Sequence, residues 1–135
     1  MRPIALDTNA YAAFKRGNEQ IVGVLQHAPS IIVCATVLGE LLGGFAAGQR
    51  ESINRSELTQ FINVPRVKVV PSTAATADLY ALVYAALRRK GQPIPTNDLW
   101  IAASSLEHGA AFGDAARSDP ARHAAGRQPA RLPGV

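Results

Sequence analysis

The sequence predicts an α/β domain: a parallel sheet with helices packed on both of its faces. Three observations lead there. Apolar strand-like runs alternate with amphipathic helical stretches through the first 110 residues, the pattern of strand–helix–strand crossover units. One of those runs, "SIIVC" at 30–34, is apolar and β-branched without alternation, the profile of a strand covered on both faces. The chain has 135 residues, 47% of them hydrophobic, which is enough for one real core and cramped for two.

The elements follow in order. Residues 4–6 form a first strand that ends abruptly in Asp7-Thr8-Asn9. A helix follows over 10–14 with Thr8 or Asn9 as its cap. A second, over 18–26, places Ile21, Val22 and Leu25 on one face before Pro29. Beyond the 30–34 strand come helices over 36–45, weakened near its end by Gly43 and Gly44, and over 52–62. The run Val67-Lys68-Val69-Val70, between Pro65 and Pro71, makes the third strand. The longest helix, 73–89, repeats Leu79, Leu82, Val83, Ala86 and Leu87 at spacings of three and four. It closes on Arg88-Arg89-Lys90, cations suited to the negative end of its dipole, and Gly91 stops it. After a proline-bounded loop, Thr96 or Asn97 caps a last helix over 98–106.

From 110 onward the composition changes. Eight Ala, four Arg, three Pro and three Gly leave Phe112, Leu132 and Val135 as the large apolar residues. A short strand near 110–112 followed by a surface run is the expectation. The chain therefore divides into a domain at 1–110 and an Ala/Arg/Pro/Gly-rich segment at 111–135.

Composition narrows the function. Cys34 is the one cysteine, which rules out an intramolecular disulfide and a cysteine-based zinc cluster. With neither a secretory h-region nor a membrane-spanning run, this points to a soluble protein of the reducing cytoplasm, with no membrane partner. The net charge of +4 permits nucleic acid as a partner without demanding it. No Gly-x-x-x-x-Gly-Lys phosphate loop is present. His27, His108 and His123 lack metal-ligand spacing and read as surface or capping residues. Trp100, among apolar neighbours, reads as core.

Three carboxylates stand out. Asp7 ends the first strand, Glu40 interrupts the apolar helix "ATVLGELLGG", and Asp98 begins "NDLWIAASS". Each has a plain alternative: Asp7 as a helix cap, Glu40 as a solvated acid, Asp98 as a complement to a helix N-terminus. Together they describe a different site. Carboxylates gathered at low dielectric repel one another, and a hard divalent cation relieves that cost. Open parallel sheets hold ligands beyond the carboxyl ends of their strands, where Asp7 is placed.

"ALDTNAY", "VLGELLGG" and "IPTNDLWIAASSLEHGA" resemble, in order and spacing, the motifs of PIN-domain proteins, most closely VapC-type toxins of toxin–antitoxin pairs. The resemblance runs from about residue 3 to 110. It implies a three-layer α/β/α sandwich with a central parallel sheet. It also implies a Mg²⁺- or Mn²⁺-dependent endoribonuclease that cleaves RNA through metal-activated water, commonly as a homodimer, held in check by a cognate antitoxin. Asp7, Glu40 and Asp98 match the catalytic, metal-holding acids. Thr8, Asn9 and Thr96 match polar positions beside the site. Family members carry a further acid downstream, where this chain has Ala116 flanked by Asp114 and Asp119. The alternative is a catalytically impaired PIN-like module that binds an antitoxin or RNA without cutting.

Overall fold

A computed structural model describes residues 2–112. The position of the further acid, held by Ala116, its neighbours Asp114 and Asp119, and the other residues from 113 onward lie outside the described residues.

The elements are β1 (Ile4–Ala5), α1 (Thr8–Lys15), α2 (Glu19–His27), β2 (Ile31–Cys34), α3 (Ala35–Ala47), α4 (Glu51–Ile62), β3 (Val67–Val70), α5 (Ala74–Arg89), α6 (Thr96–Glu107) and β4 (Ala111–Phe112). The four strands form one sheet in the order β3-β2-β1-β4. Every pair is parallel, with Ile4 opposite both Ile31 and Ala111, and Ile31 opposite Val67. Six helices flank this sheet in a three-layer α/β/α sandwich, as the alternation of elements predicts.

All four residues of β2 are buried, because helices cover both faces of an interior parallel strand. Leu6, Ile21, Ile31, Val33 and Val37 are the centre of the core, and each such side chain contributes about 1.5–3 kcal/mol by leaving water. Arg66 closes the end of α2, its guanidinium donating to the carbonyls of Leu25 and, at 2.8 Å, Ala28.

The last strand is short but well tied. The Ala111 amide donates to Pro3 O at 2.9 Å, and the Arg2 guanidinium donates to Gly109 O at 3.3 Å and Ala110 O at 3.1 Å. Gly109, at φ +61°, makes the turn from α6 into β4 in a conformation that side chains disfavour. The sheet thus reaches two residues past the boundary placed at 110.

Two expectations about packing change. Leu82, one of the regularly spaced apolar residues of α5, is 65% exposed, and Thr76 is the buried residue of that helix. Trp100 is half-buried rather than core. It packs against Tyr80 with ring centroids 4.5 Å apart, so the apolar face of α5 serves α6 and not the sheet.

Candidate active site

The strand order reverses at β1: the chain runs from β1 to β2 to β3 on one side, then returns to place β4 on the other. Ligands in such sheets collect outside the carboxyl ends of the strands at this reversal. Asp7 stands there, two residues beyond Ala5.

Asp7 is 3% exposed. Its extended backbone makes it the N-cap of α1, and Oδ1 accepts a 2.7 Å hydrogen bond from the Ala10 amide. The helix consequently starts at Thr8, earlier than expected, and the cap is Asp7 rather than Thr8 or Asn9. An aspartate is among the best caps because its oxygen reaches the orphan amides of the first turn.

Glu40, half-buried on α3, does not point to open solvent. The Thr8 hydroxyl donates to its Oε1. From the other side, Asn97 Nδ2 donates to Oε2 at 3.1 Å. Asp98 is half-buried in the first turn of α6, where its negative charge is favoured by the helix dipole. Glu40 is therefore bonded to the residue that follows Asp7 and to the residue that precedes Asp98. Asn9 and Thr96 are exposed on the first turns of α1 and α6.

Sequence reasoning missed Asn97, reading it as a helix cap. The N-cap position of α6 belongs to Pro95, which has no side chain to cap with, and the Asn97 amide instead reaches across to α3. Its signal was its place immediately before an acid already singled out.

The donor set of three carboxylates, a hydroxyl and a side-chain amide is the oxygen-rich chemistry that hard divalent cations prefer. Among the described residues, no group of three or more His, Cys, Asp or Glu side chains stands close enough to hold a metal ion. His27 and His108 are placed as expected, while His123 lies outside the described residues. His27 Nδ1 lies 2.8 Å from Gly23 O, and His108 Nδ1 lies 2.9 Å from Ser104 O, both local contacts at helix ends.

With this geometry established, comparison with known proteins is direct. A profile of the PIN domain matches residues 4–116. The chain belongs to the PIN domain family. No curated protein matches it. It is similar to solved structures of toxin–antitoxin proteins. DNA-bound VapBC from Salmonella typhimurium aligns at TM-score 0.74 and 23% identity, covering 100% of this chain and 96% of that one. FitAcB from Neisseria gonorrhoeae aligns at TM-score 0.70 and 26% identity, covering 81% and 84%. VapC20 from Mycobacterium tuberculosis, a sarcin-ricin loop cleaving toxin, aligns at TM-score 0.60 and 18% identity, covering 86% and 95%.

Proposed function

We propose that this PIN domain is an endoribonuclease that acts as the toxin of a toxin–antitoxin pair. The observation that carries the reading is the link from Asp7 through Thr8 to Glu40 and on through Asn97 to Asp98. Bonds from Glu40 to the chain neighbours of both aspartates support a shared role for the three matched acids. Asp7, Glu40 and Asp98 would hold a Mg²⁺ or Mn²⁺ ion, which supplies Lewis acidity to activate water and to offset charge on the reacting phosphodiester. The chain's own residues do the rest. The Asp7 carboxylate is fixed by its capping bond, Glu40 by its two neutral donors, and Asp98 by its place in a helical first turn.

The partner reading rests on similarity to toxin–antitoxin structures and on a surface feature. A groove of about 250 Å³ is lined by Tyr11, Lys15, Leu41, Phe45, Asn54 and Glu57. Its apolar floor and charged rim suit an amphipathic segment of an antitoxin. No helix among the described residues is long and apolar enough to cross a membrane.

The second reading, a module that binds without cutting, is favoured by the absence of a ready three-acid group among the described residues. Incubation of the protein with total RNA, with Mn²⁺ or with EDTA, separates the two. Cleavage that needs the metal and disappears in Asp7→Asn and Asp98→Asn supports the nuclease. RNA left intact by a folded protein in Mn²⁺ supports the binding module.

A further inference from the structure

We infer that Asn97 is a positioning residue for the proposed nuclease site, orienting the Glu40 carboxylate from the first turn of α6; this rests on the reading above. Glu40 projects from the middle of α3 on a side chain with three free torsions, and its own helix supplies no hydrogen bond to it. Its orientation is set by one donor on each oxygen: Thr8 on Oε1 and, at 3.1 Å, Asn97 Nδ2 on Oε2. Thr8 follows Asp7 in the chain, and Asn97 precedes Asp98. The Asn97 amide is therefore the direct hydrogen bond from the first turn of α6 to this acid.

The chemistry of the pair is specific. The amide is a neutral donor, so it orients the carboxylate without cancelling its charge, as a lysine or arginine would. A carboxylate oxygen has two lone-pair sites, so one donor per oxygen leaves acceptor capacity for a cation. Groups that orient a metal ligand in this way commonly change affinity by about 10- to 100-fold when removed. Asn97 is itself exposed, and no apolar packing depends on it.

The test uses the full chain and its single tryptophan. Trp100 lies two residues past Asp98, and its fluorescence reports Mn²⁺ titrated into the parent protein, Asp7→Asn, Asn97→Ala and Asn97→Gln. Asn97→Ala is expected to weaken Mn²⁺ binding by about 10-fold or more, with its melting temperature unchanged. Asn97→Gln keeps the amide, has room at an exposed position, and is expected to recover most of the lost affinity. An Asn97→Ala protein that binds Mn²⁺ like the parent overturns the inference, as does a glutamine variant no better than alanine. If Asp7→Asn also leaves Mn²⁺ binding untouched, the metal-site reading itself fails and takes this inference with it.

Discussion

The Asp7 carboxylate accepts its 2.7 Å hydrogen bond from the amide of Ala10, so one buried acid both starts a helix and faces the reversal point of the sheet. The two roles are separable by substitution. Asparagine caps nearly as well as aspartate, whereas alanine forfeits about 0.5–2 kcal/mol. Asp7→Asn is expected to keep the parent's thermal stability and Asp7→Ala to lose stability on that scale. Both are expected to lose RNA cleavage. Thermal melts alongside a cleavage assay check the pair, and an active Asp7→Asn protein contradicts the assignment.

Thr76 offers a purely structural counterpart. Its hydroxyl is fully buried, donates to Glu107 Oε1 at 2.5 Å and accepts from the Thr73 amide at 3.0 Å. Thr76→Val keeps the shape but leaves the Thr73 amide and the Glu107 carboxylate short of a partner. The expected loss is about 1–3 kcal/mol of stability, read by urea denaturation. Cleavage per folded molecule is expected to stay at the parent's level, because this network lies at the opposite end of α6 from Asp98.

Tyr11 makes a pH prediction. Burial pushes its phenol above the usual value, and the negative charge of Glu57 adds to the shift. A phenol held protonated in the fold favours the folded state while the unfolded phenol is also protonated. That contribution falls away as pH rises from about 10, the unfolded value, toward the higher folded value. The melting temperature is expected to drop across this alkaline window more steeply in the parent than in Tyr11→Phe. Parallel slopes contradict the prediction.

Exposed apolar side chains on α5 and α6 predict self-association, Leu82 being 65% exposed, Leu106 59% and Tyr84 44%. Sedimentation is expected to show a dimer for the parent and a monomer for Leu82→Glu, with little change in thermal stability. A parent that stays monomeric at high concentration removes the homodimer from the account.

Much of this fold was legible in the sequence because burial leaves a pattern. The unbroken apolar run at 30–34 could only be an interior strand, and β2 is buried throughout. Helix ends were harder, since capping depends on where a side chain reaches. Asp7 captured the first turn of α1, and α6 begins at Thr96 after a proline. The stripe on α5 misled because spacing shows that a helix has an apolar face without showing what covers it. Of the site, the identities of the acids stood out by their apolar settings. The bonds joining Glu40 to Thr8 and Asn97 did not, for they cross 32 and 57 residues of chain and depend on how three helices meet.

The pairing of β1 with β4 has a consequence for how the protein is made. One of the two neighbours of β1 is Ala111–Phe112, the last strand among the described residues. Contacts spanning so much chain are slow to form, and domains complete themselves only as synthesis supplies their parts. Asp7 is translated before Asp98 and before the strand that pairs with β1. A growing chain therefore carries Asp7 without its candidate partners until both have been made.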